Sequence, residues 1–304
     1  MPEPDPTGPD PTDPDTTGPD TAGPDARGPD AADPSGAGFA GVDLAALGLA
    51  GRVVVVTGGV RGVGLGISRA FLRAGAEVVA VARREPDRPP EAAGRTARFV
   101  SLDVRDPDAA RAFAASLDRV DVLVNNAGGT PYLPLAEGDP RTHAKIIELN
   151  LTAPLLMSRF LYERMPASGG AIIMIGSVSA TRPSPGSAAY GAAKAGLESM
   201  AASLAVEWAP RVRVNALKLG MVRTEQAHLH YGDEDGVAAV ERTIPAGRMA
   251  SPDEVGAVCA FLASPLAAYI TGATLTMHGG GERPAFLDAA TANKTATPGK
   301  EEPQ

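Results

Sequence analysis

The chain has 304 residues, room for one large domain or two small ones, with the 44% hydrophobic and 21% charged content of a soluble globular protein. Its net charge of −8 resides in residues 1–42, which hold nine acids against one base, so the remainder is formally neutral and offers no nucleic-acid surface. One cysteine, Cys259 in an apolar run, excludes an internal disulfide and a cysteine metal cluster and suits a cytoplasmic protein; no apolar run reaches membrane-span length and no signal-peptide pattern opens the chain.

Residues 1–42 repeat Gly-Pro-Asp with almost no large apolar side chains, which predicts a disordered acidic tail, passive or partner-docking. The ordered domain is expected over 43–284. A four-valine strand over 52–57 enters a glycine-rich turn, and a helix follows to Ala74-Gly75. Strands are predicted over 78–82, 97–102 and 120–124, with a helix over 107–117. One long helix is expected over 140–165, a strand over 171–176, a helix over 187–208 and a strand over 212–217. A polar insert at 220–248, a helix at 252–263 and a strand at 273–277 finish the core, and 285–304 reads as a second loose tail. Strands alternating with helices predict the α/β class, as a single doubly wound Rossmann-type parallel sheet with helices on both faces.

The turn joining the first strand to the first helix reads Thr57-Gly58-Gly59-Val60-Arg61-Gly62-Val63-Gly64. Glycines permit positive φ and close backbone approach, and a helix N-terminus offers free N–H groups to a pyrophosphate. That context favours dinucleotide binding over a plain turn. An NAD site wants a carboxylate at the end of the second strand, but this chain has Ala82-Arg83-Arg84 there. Arg83, with Arg61 from the turn, suits a 2′-phosphate, so NADP(H) is expected, with NAD(H) the other candidate and solvated loop arginines the bland reading.

Tyr190 and Lys194 stand at i,i+4, a spacing that puts a phenol and an ammonium on one helix face, with Ser177 thirteen positions before the tyrosine. The lysine charge is expected to lower the phenol's pKa, readying it to exchange a proton at a carbonyl or alcohol oxygen.

In this order the motifs resemble the short-chain dehydrogenase/reductase family, over about residues 50–280. They are the glycine turn at 57–64, Leu102-Asp103-Val104, Asn125-Asn126-Ala127-Gly128, Asn150, Ser177, and Tyr190 with Lys194. The resemblance implies that Gly58, Gly59, Arg61, Gly62, Val63 and Gly64 hold the cofactor's phosphates. By the same resemblance Asp103 would bind the adenine amino group, Val104 line the adenine pocket, and Asn126, Ala127 and Gly128 lie beneath the ribose. Tyr190 would be the general acid/base, Lys194 would bind the nicotinamide ribose, Ser177 would orient the substrate oxygen, and Asn150 would fix a water in the proton relay. Val222 and Thr224 would contact the carboxamide. One departure is Leu219-Gly220 where the family usually has Pro-Gly, which is expected to loosen the loop that follows.

Specificity is expected from the insert, read as a lid containing His228, His230 and Tyr231, with wall residues from 129–133 and 178–186. Two histidines without a third placed ligand read as substrate-contacting or exposed groups, and no metal is expected. The expected activity is hydride transfer with a small-molecule ketone or secondary alcohol, by a homodimer or homotetramer. A sugar-nucleotide epimerase or dehydratase would want a longer C-terminal domain and a different glycine spacing. A catalytically silent dinucleotide-binding regulator would want one of Ser177, Tyr190 or Lys194 lost; tail-mediated interaction stays open beside the enzyme.

Overall fold

Runs of β-branched residues frame the molecule, of which the computed structural model describes residues 43–289; the tail expected at 1–42 and residues 290–304 lie outside the described residues. The sheet strands are β1 (Val53–Thr57), β2 (Glu77–Ala82), β3 (Arg98–Ser101), β4 (Val122–Asn125), β5 (Gly170–Ser177), β6 (Val212–Leu219) and β7 (Thr274–Met277). All pair in parallel in the order β3-β2-β1-β4-β5-β6-β7. Chain order reverses between β1 and β4, and such a switch point opens a crevice at the C-terminal strand ends.

Side chains along the central strands alternate between two buried layers. Val54, Val56, Val122, Val124, Ile173 and Leu217 face α1 (Gly62–Arg73) and α8 (Pro252–Ala263), where Phe71, Val255 and Cys259 are fully buried. Val55, Val79, Leu123, Ile172, Met174 and Val214 face α2 (Pro107–Ala115), α4 (Ala153–Tyr162) and α5 (Ala188–Glu207), which supply Phe113, Met157, Leu161 and Leu197. Each large side chain so enclosed contributes roughly 1.5–3 kcal/mol. Burial also pushes the Cys259 thiol's pKa up, leaving it an inert core residue. Helices α1 and α8 meet backbone to backbone: a Cβ on Gly66 would come 2.2 Å from the Pro252 carbonyl carbon, and one on Gly256 would come 2.4 Å from the Gly66 oxygen.

Two expectations need correction, and two small elements went unread. The single helix over 140–165 is α3 (Pro140–Ile147), a π turn (Glu148–Thr152) and α4, because the Asn150 side chain takes hydrogen bonds away from the regular ladder. The sixth strand runs on to Leu219 instead of stopping at 217. Leucine keeps the amide proton that proline lacks, and Leu219 is buried and paired with Ser177 and Met277, so the ladder runs past its expected end. A small hairpin, Glu91–Ala92 with Arg95–Thr96, went unread because each arm is only two residues long. A short helix, α9 (Ala285–Ala289), was also unread.

Candidate active site

The glycine turn lies against the end of β4. Gly58 has a φ of +64°, and a Cβ on Gly64 would fall 1.9 Å from the Gly58 oxygen, so the turn closes only without side chains there. Thr57 Oγ1 accepts from the backbone N–H groups of Asn126 and Ala127, each at 3.0 Å, and Asn126 Nδ2 donates to the Thr57 oxygen at 2.9 Å. The tetrad Asn125-Asn126-Ala127-Gly128 is thereby locked across the switch point. Arg61 is the N-cap of α1 and gives it no side-chain cap; the N–H of Gly62 donates instead to Glu225 Oε1 at 2.9 Å. An anionic oxygen thus already sits at this helix N-terminus, the chemistry that a pyrophosphate would present there. The turn fits a dinucleotide.

Beyond the end of β3, Val104 is buried and Asp103 is partly buried. The Asp103 carboxylate is gripped by Arg105, whose Nη2 lies 2.7 Å from Oδ2 and whose backbone N–H lies 3.0 Å from Oδ1. Burial alone would raise its pKa, but Arg105 and the charge of Arg83 outweigh that and hold it below the usual carboxylate range. The charge of Arg83 thus reaches Asp103, while Arg61 stands at the exposed N-cap of α1. The partner Arg105 was missed in the sequence, where an Asp-x-Arg pair was its one trace.

Ser177 ends β5 and Tyr190 stands in the first turn of α5, and the fold brings them together although they are thirteen positions apart. The Ser177 hydroxyl favours the ionised form of the Tyr190 phenol, and it also accepts from the Ser179 N–H at 3.2 Å. Lys194 is buried, with Nζ 5.5 Å from the centroid of the Tyr190 ring and donating to the Ile175 oxygen at 2.9 Å. The expected lowering of the phenol by this lysine is overturned. Burial pushes Tyr190 up, Ser177 acts against it, and Tyr231 from the lid adds to the rise. The lysine lies over the ring face with a backbone partner of its own, and burial brings its pKa down to about 8.

Asn150 is fully buried in the π turn. Its Nδ2 donates to the oxygens of Gly129 (2.8 Å) and Ile146 (2.9 Å), and its Oδ1 accepts from the Gly129 N–H at 3.1 Å. A Cβ on Gly128 would meet Asn150 Oδ1 at 2.6 Å and Lys194 Nζ at 3.2 Å, so both groups border one glycine.

The insert after β6 carries α6 (His228–Tyr231) and α7 (Glu234–Glu241). Val222 bridges Ala250, and the Thr224 side chain rests against Gly62. The acid cluster is structural: Asp233 caps α7 through the Gly236 N–H, and Glu234 pairs with Arg223 at 2.7 Å. His228 Nδ1 lies 3.0 Å from the Glu225 oxygen. The two expected wall loops are tied together by Leu133 N–H to the Gly186 oxygen at 2.7 Å.

A family model described as enoyl-(acyl carrier protein) reductase matches residues 58–282, spanning every element of this site. The chain belongs to the short-chain dehydrogenase/reductase family. Within that family it is 36% identical to the 3-oxoacyl-(acyl-carrier-protein) reductase FabG of Vibrio cholerae, over 77% of this chain and 98% of that protein. It is 38% identical to 3beta-hydroxysteroid dehydrogenase 1 of Eggerthella lenta, over 76% of this chain and 94% of the relative. Among solved structures, an NAD(P) dependent gluconate 5-dehydrogenase from Beutenbergia cavernae with bound NADP superposes with a TM-score of 0.70 at 35% identity, covering 76% of this chain and 97% of its own. This short-chain dehydrogenase/reductase is an oxidoreductase acting on CH–OH groups with a nicotinamide cofactor. Among the described residues, no helix is long and apolar enough to cross a membrane.

Proposed function

We propose that the chain is an NADP(H)-dependent oxidoreductase of a ketone or secondary alcohol in which Tyr190 is the general acid/base. The observation that carries this is the convergence of the Ser177 hydroxyl, the Tyr190 phenol and the Lys194 ammonium at the C-terminal edge of the sheet, beside the glycine turn. All three members are present and brought together, which speaks for turnover over a silent sensor.

The nicotinamide cofactor, when bound, supplies or accepts the hydride. Gly58, Gly59, Gly62, Val63 and Gly64 would hold its pyrophosphate, Asp103 and Val104 its adenine, and Asn126, Ala127 and Gly128 its ribose. Tyr190 and Lys194 would hold the second ribose, and Val222 and Thr224 the carboxamide. Arg61 and Arg83 would hold the 2′-phosphate; the charge of Arg83 on Asp103 supports its facing that pocket, and the NADP bound to the Beutenbergia cavernae relative supports the same choice.

The residues do the rest. Ser177 donates to the substrate oxygen and orients it. Tyr190 delivers its phenolic proton to that oxygen as negative charge develops. Lys194, its pKa brought down to about 8 by burial, replenishes the phenol. Asn150 holds the π turn and the Gly129 backbone so that the path from Lys194 towards solvent keeps its shape. Alcohol oxidation runs the same path in reverse. The lid at 220–248 and the tied loops at 129–133 and 178–186 would wall a fairly apolar substrate, in a cytoplasmic homodimer or homotetramer. The test is nicotinamide absorbance during a screen of ketones and alcohols with both cofactors. Saturable turnover with NADPH supports the reading, and turnover confined to NADH overturns the assignment of Arg61 and Arg83.

A further inference from the structure

Glu225 stands where an arriving dinucleotide would set its phosphates. It comes from the base of the lid, 163 positions after Gly62, and its Oε1 accepts the Gly62 N–H at 2.9 Å. Helix α1 runs for 12 residues and receives no side-chain cap from its own N-cap residue, so this distant carboxylate is its cap. Around it the lid base is tied down. Arg223 N–H donates to the Ala250 oxygen at 2.8 Å, and the Arg223 guanidinium reaches Glu234 at 2.7 Å and Glu241 at 3.6 Å. A Cβ on Gly62 would meet Thr224 Cγ2 at 3.5 Å and Glu225 Oε1 at 3.9 Å, so the segment lies directly on the turn.

The N–H groups at one helix end favour a single anionic group. A carboxylate and a pyrophosphate there compete for the same donor and repel each other. We propose that Glu225 is a carboxylate latch on the cofactor seat: it caps α1 and closes the lid base over the glycine turn in the free enzyme, and a dinucleotide must expel it to bind. This rests on the dinucleotide-binding reading above. The latch lowers cofactor affinity and couples release of the lid base to cofactor arrival. NAD(H) and NADP(H) share the pyrophosphate, so both carry the same penalty, and Glu225 does not set the preference between them.

The experiment measures the Kd of the full chain for NADPH, NADH and inorganic pyrophosphate, in wild type, Glu225→Gln and Glu225→Ala. Intrinsic fluorescence reports the nucleotides, and displacement of NADPH reports pyrophosphate. Circular dichroism confirms that each variant is folded. The latch predicts that both variants bind all three probes about three- to tenfold more tightly at low salt, with the gain shrinking as ionic strength rises. Equal or weaker binding by folded variants overturns it while leaving the oxidoreductase reading intact. Absence of nucleotide binding in wild type and variants alike overturns both.

Discussion

Lys194 lies over the face of the Tyr190 ring, its Nζ 5.5 Å from the centroid, and spends one of its protons on the Ile175 carbonyl. The two groups meet with their pKa values moved apart, the phenol up from its ordinary value and the ammonium down to about 8. The lysine titrates first as pH rises, and this makes it the proton source for the phenol.

The same burial has a thermodynamic signature. The folded value of about 8 lies below the ordinary 10.5, so between them the unfolded chain binds more protons, and stability rises with pH across that window. Below pH 8 the burial penalty is fully present, at roughly 3 kcal/mol. Lys194→Met removes the titration. Urea unfolding should show wild type gaining about that much on the variant between pH 7 and pH 10.5; a constant difference would refute the shifted lysine.

Asn150 is predicted to be a strut as much as a relay element. Its three bonds engage the Gly129 N–H and the carbonyls of Gly129 and Ile146. Asn150→Ala should cost about 2–3 kcal/mol in denaturant unfolding. It should also lower kcat, because the Gly128-Gly129 backbone beside Lys194 loses its anchor.

The glycine turn tolerates no side chain at Gly64, where a Cβ would fall 1.9 Å from the Gly58 oxygen. Gly64→Ala should weaken NADPH binding by at least about a hundredfold in fluorescence titration, through a distorted turn or outright misfolding. Unchanged binding would show that the phosphates sit elsewhere.

Cofactor choice is assigned to Arg61 and Arg83. The double alanine variant should raise the Kd for NADPH by about tenfold or more and leave that for NADH within about twofold, since only the former carries the extra phosphate. Equal losses for both would mean that the arginines serve the shared part of the cofactor.

The sheet and most of its helices were legible because their signals are local: valine runs for β1, a Ser-Pro start for α8, glycines at the first turn. Ser177, Tyr190 and Lys194 were legible as a set because their spacing matched a known family. The illegible parts are long-range or small. Nothing near Glu225 says that it reaches Gly62, and nothing near Asn150 says that its side chain will seize the Gly129 backbone. The pKa direction of the Tyr190 phenol was misread for a related reason: an i,i+4 spacing reveals that two groups share a face but not how deeply each is buried.

The claim that Tyr190 carries the proton is tested most directly by Tyr190→Phe, comparing kcat on a substrate found in the screen with the Kd for NADPH. The account predicts kcat lowered by at least about a hundredfold with the Kd nearly unchanged. Near-wild-type turnover in a folded, cofactor-binding variant would contradict it.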